Sequence, residues 1–141
     1  MKNMPSAVVL IIMSLFYLSS CAPSTKQVMA TSESQLKLRS MQSRAFDTTD
    51  KNKMMRTVIA TLQDLGFIID KADSTLGTVS ATKLNRYNLR ITVTVKERGE
   101  SQLVVRASAQ YNIQPVEDPE TYQQFFDSLS KAIFLTAQEV D

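Results

Sequence analysis

The chain has 141 residues, with 16 Lys and Arg against 14 Asp and Glu, no His and one Cys. A formal charge of +2 leaves no basic surplus of the kind a nucleic-acid-binding domain concentrates. The missing imidazoles exclude His-based catalytic triads and the common imidazole zinc sites, and a lone cysteine excludes an internal disulfide.

Lys2 is the sole early charge, and an apolar run from Ala7 to Leu18 follows it, ending at the small residues Ser19 and Ser20 before Cys21. This is the layout of a bacterial secretory signal. At about a dozen residues the run is shorter than the ~20 needed to span a bilayer as a helix. The segment Leu18-Ser19-Ser20-Cys21 resembles the lipobox of bacterial lipoproteins. That resemblance implies cleavage before Cys21, a diacylglycerol on its thiol and an acyl chain on the new amino terminus. Two or more acyl chains hold a protein at a membrane stably, whereas one does so only marginally. Ala22 stands where many lipoproteins retained at the inner membrane carry Asp, so the resemblance further implies the periplasmic face of a Gram-negative outer membrane. The expected organisation is a signal peptide over 1–20, a lipidated Cys21 and linker over 21–40, and one periplasmic domain over 41–141. Removing the signal leaves 121 residues, enough for one small domain.

Residues 22–40 are rich in Ser, Thr, Gln and Lys, lack aromatics, and read as a flexible linker. As a random coil they would reach roughly 25 Å. Alternation around Ser43 and Ala45, opposite Phe46, predicts a strand from Met41 to Asp47. Thr48, Thr49 and Asp50 offer N-caps for a helix whose stripe is Met55, Val58, Leu62 and Leu65, widened by Met54 and Ile59, with Gly66 as its stop. Strands are expected from Phe67 to Lys71 and from Leu76 to Leu84, joined by turn chemistry at Asp73, Ser74 and Gly77. The clearest strand alternates Leu89, Ile91, Val93 and Val95 with Asn88, Arg90, Thr92, Thr94 and Lys96. After a hairpin at Glu97–Glu100 the pattern resumes from Gln102 to Tyr111. Pro115 is expected to end the sheet. Asp118, Pro119 and Glu120 then open a helix whose apolar stripe runs from Tyr122 through Phe125, Phe126, Leu129 and Ile133 to Val140.

The fold class that follows is α+β in two layers: a mostly antiparallel sheet with two helices on one face, in the order β-α-β-β-β-β-α. The other face would be wet and would carry Thr78, Ser80, Thr82, Arg90, Thr92, Thr94, Arg106, Ser108 and Gln110. This architecture resembles the helix-grip domains of BamC-like outer-membrane assembly lipoproteins. The blocks Arg44-Ala45-Phe46, Leu62 to Asp70 with Leu76-Gly77, and Asp118 to Phe126 with Leu129-Ser130-Lys131 resemble the recurring pattern of small uncharacterised proteobacterial lipoproteins. Neither likeness implies an activity.

Catalytic chemistry has few candidates. Asp47 and Asp50, three apart at the start of a helix, and Asp70 and Asp73, flanking a turn, could in principle bind a hard cation or form an acid/base couple, but capping and turn roles explain all four. Three dispersed glycines make no phosphate loop. Lys83, Arg86, Arg90, Lys96, Arg98 and Arg106 could form a basic patch, although a solvated strand face is the commoner meaning of such charges. The methionines of the first long helix read as core filler. The expectation is therefore no enzyme, no metal and no cofactor beyond the lipid on Cys21. The expected function is that of a tethered accessory subunit docking on an envelope complex of the outer-membrane assembly, efflux or secretion type. The sheet-face residues Arg90, Thr92, Thr94, Arg106 and Ser108 are the candidate docking site. The alternative is small-molecule or lipid binding in a cavity between the last helix and the sheet.

Overall fold

The computed structural model describes residues 34–85 and 87–138. The signal, the lipobox with Cys21, the linker up to 33, Arg86 and Val140 lie outside the described residues.

The elements in chain order are helix α1 (34–41), strand β1 (Ser43–Phe46), helix α2 (Lys51–Asp64), strands β2 (Ile68–Asp73), β3 (Thr78–Asn85), β4 (Tyr87–Arg98), β5 (Gln102–Tyr111) and β6 (Gln114–Pro115), and helix α3 (Pro119–Gln138). The architecture is α+β, with every strand pair antiparallel and the sheet ordered β1-β5-β4-β3-β2. Two differences from the sequence reading stand out. Residues 34–41 are helical where a linker was expected, because Leu38 finds the core to pack against. Pro115 extends the sheet as a two-residue strand pairing with the end of β5.

Local chemistry accounts for the ends of α2. The Asp50 carboxylate accepts from the Lys53 amide at 2.8 Å, satisfying one orphan donor of the first turn. At the other end the Phe67 amide donates to Leu62 O and the Gly66 amide to Gln63 O, both at 2.9 Å, with Gly66 at φ +83°. That is a Schellman stop, which requires a left-handed residue at Gly66. The buried face of α2 is wider than its apolar stripe. Thr57 and Thr61 are buried too, each hydroxyl donating to the carbonyl four residues back.

The core lies between the inner sheet face and the two long helices. From the sheet come Val79, Ala81, Ile91, Val93, Val95, Leu103, Val105 and Ala107, and from the helices Met54, Val58, Leu62, Tyr122, Phe125, Phe126 and Leu129. Small alanines on β3 and β5 leave room for the aromatic rings of α3, where Phe125 and Phe126 meet edge to face at 5.1 Å. Burial of α3 runs from Tyr122 to Leu129, with Ile133 half-buried, while Phe134 and Leu135 are exposed. Arg44, inward-facing on edge strand β1, reaches Asp127 at 3.2 Å and Ser130 at 3.3 Å and lies over the Phe126 ring. Its ion pair is solvent-exposed and worth under about 1 kcal/mol, so its main effect is to orient α3 on the sheet edge.

Candidate functional site

Register places all nine expected wet-face residues on the outer face of β3, β4 and β5. Thr78, Thr94 and Arg106 are cross-strand neighbours, as are Ser80, Thr92 and Ser108, and then Thr82, Arg90 and Gln110. The result is a three-by-three grid on the side opposite the helices. The middle row is all hydroxyl, and Ser80 and Thr92 approach to 3.5 Å. Lys96, opposite Val104, extends the grid by one row. Thr92, Thr94, Lys96, Val104, Arg106 and Ser108 line a furrow of about 340 Å³. Arg90, Lys96 and Arg106 are exposed and hold no ion pair among the described residues. Arg90 lies four residue steps along β4 from the Thr94–Arg106 pair, about 14 Å at 3.4 Å per residue. Cations thus flank a floor of hydroxyls.

The basic cluster expected from the sequence is split by the sheet. Arg90, Lys96, Arg98 and Arg106 share the outer parity, while Lys83 continues the inward parity of Val79 and Ala81. Its ammonium donates to Leu65 O at 2.8 Å and lies 5.7 Å from the centre of the Phe67 ring, completing the negative end of α2. A cation on a core-facing parity was the visible signal for this role.

A second concavity lies at that end of the inner face. Leu89 and Ile91 floor it, Leu65, Phe67 and Lys83 flank one side, and Tyr111 with Thr121, Gln124 and Phe125 the other. Its volume is about 210 Å³. It lies between the first turns of α3 and the sheet.

No known protein-family model matches this chain, and no curated protein matches it significantly. Function is therefore read from geometry.

The four aspartates weighed for chemistry have structural partners. Asp50 caps α2, Asp47 accepts from Gln102 at 2.6 Å, Asp70 accepts from Thr82 at 2.6 Å, and Asp73 accepts from the Leu76 amide at 2.9 Å. Among the described residues no group of three or more Asp or Glu is placed to hold a metal ion, and no helix is long and apolar enough to cross a membrane. Edge strand β2 has a register shift between Ile69 and Lys71, so Asp70 bulges out of the ladder. A bulge next to a lysine blunts an edge against strand addition, which favours the sheet face over the edge as a contact surface.

Proposed function

We propose that this protein is a lipid-anchored, non-enzymatic accessory subunit that docks on a larger cell-envelope assembly through the outer face of its sheet. The observation that carries the reading is the grid of hydroxyls flanked by Arg90, Lys96 and Arg106, uncovered and free of ion pairs among the described residues. An uncovered face with unneutralised charge is suited to a complementary acidic surface, where such charges steer encounter and set specificity. The lipobox-like segment ending at Cys21 supports a tether at the periplasmic face of the outer membrane.

Two measurements test this. Mass spectrometry of the mature protein is expected to find a diacylglycerol and an acyl chain on an amino-terminal Cys21, both lost in Cys21→Ser; an unmodified thiol in the wild-type protein would contradict the lipid anchor. Through a tag after Asp141, wild-type protein in gentle detergent is expected to elute in a large complex. The double variant Arg90→Glu with Arg106→Glu is expected to elute as a free domain, its stability changed by no more than about 0.5 kcal/mol, as for surface substitutions. A wild-type monomer across gentle detergents would overturn the docking reading.

The cavity beside α3 favours a second reading, binding of a small molecule. Its volume of about 210 Å³ lies below the ~300–1,000 Å³ of drug-sized ligand sites and is too small for a diacyl lipid. Native mass spectrometry of protein taken from its own host reads this directly, since the second reading expects a co-purifying small molecule and loses support without one.

A further inference from the structure

We infer that the cavity between the C-terminal end of α2 and the first turns of α3 binds a small apolar carboxylate, its body over Leu89 and Ile91 and its carboxylate at Lys83. The inference rests on the second reading above and names the ligand class for that site.

Three observations carry it. The first is size. A cavity of ~150 Å³ accommodates benzene, so about 210 Å³ suits one ring or a short chain. The second is the apolar lining: Leu89 and Ile91 on the floor and Phe125 on the wall present hydrocarbon, with Ile91 and Phe125 buried. An apolar body gains by displacing water from such a surface. The third is charge. Among the described residues Lys83 is the one charged side chain lining the cavity, and no described carboxylate lines it. Its ammonium has three donors, of which Leu65 O takes one at 2.8 Å. Capping α2 thus fixes where the cation sits and leaves donors for an anion. A carboxylate there forms charge-assisted hydrogen bonds, whereas a ligand ammonium is repelled. Thr121 and Gln124 supply polar groups on the α3 rim.

The test is a set of amide-resolved NMR titrations of the purified protein with benzoate, hexanoate, benzyl alcohol and benzylammonium. Both carboxylates are expected to shift the Leu89, Ile91 and Thr121 amides saturably, and the tighter of the two tells whether the site prefers a ring or a chain. Benzyl alcohol is expected to bind about tenfold more weakly than benzoate, and benzylammonium not at all, from the worth of one charged hydrogen bond. Lys83→Met should abolish the advantage of benzoate while leaving alcohol binding in place. Thr121→Phe, which fills the mouth and keeps Lys83, should abolish binding of both. Equal binding of alcohol and carboxylate overturns the assignment of an anion while leaving the second reading intact. Absence of shifts with every probe overturns both. Shifts confined to the outer-face amides near Arg90 and Arg106 overturn the site and assign the anions to surface pairing.

Discussion

Replacing Tyr122 by Phe is expected to lower the unfolding free energy by about 2–4 kcal/mol, because one buried hydroxyl serves three partners. Tyr122 is 1% exposed. Its hydroxyl donates to Val116 O at 2.7 Å and accepts from Gln42 Nε2 at 3.1 Å and from the Ala109 amide at 3.3 Å. These contacts sit where the outer edge of β5 changes partner. Residues 103–106 pair with β1, the Ala107 amide donates to Gln42 O, and Gln110 and Tyr111 pair with β6. Between them the Ala109 amide would be an orphan donor in the core without the phenol. Tyr122 therefore completes the ladder and fastens α3, β5 and the segment after α1 at one point. Denaturant unfolding checks this. A loss below about 1 kcal/mol would mean that water or a shifted Gln42 replaces the hydroxyl.

Gly77→Ala is expected to cost about 3 kcal/mol or more, against about 1 kcal/mol for Gly99→Ala, although both glycines have positive φ. At Gly77 an added Cβ would press on the Val95 carbonyl oxygen and lie 2.8 Å from Lys51 Cε. The Lys51 side chain can swing aside, but the Val95 carbonyl belongs to the β4 backbone and cannot move without disturbing the sheet. The Val95 amide donates to Gly77 O at 2.7 Å, and the Lys51 ammonium donates to Thr75 O at 3.2 Å, so the turn, β4 and the start of α2 are tied together. At Gly99 nothing lies within 4 Å of the added Cβ, and only the backbone cost remains. Equal losses for the two variants, measured by the same unfolding experiment, would show that backbone strain alone governs both.

Much of this fold is legible in local patterns. Strict alternation from Asn88 to Lys96 and from Gln102 to Tyr111 assigns each residue to a face, since successive strand side chains point to opposite sides. The outer-face grid follows once register is set, and the hairpin around Gly99 sets it for β4 and β5. Asp50 and Gly66 mark the ends of α2 through chemistry confined to a few neighbouring residues. Other features resist such reading. The helix over 34–41 has weak amphipathicity of its own and forms where Leu38 meets a core assembled by residues far along the chain. Thr57 and Thr61 look polar in the sequence, and only the back-bonded hydroxyls allow them to be buried.

For this protein, then, periodicity and capping residues alone identify the long helices, the four main strands and the sheet face turned away from the helices, because those depend on neighbours in the chain. The same residues separate Lys83 from Arg90, Lys96 and Arg106 only through strand parity, and nothing local announces that Lys83 meets Leu65 O across 18 residues. Nor does the sequence reveal the cavity over Leu89 and Ile91 or the three-way role of the Tyr122 hydroxyl. Both arise where β5, α2 and α3 converge. Contacts of that kind join residues that no local pattern relates, and they exist only once the sheet and helices have packed.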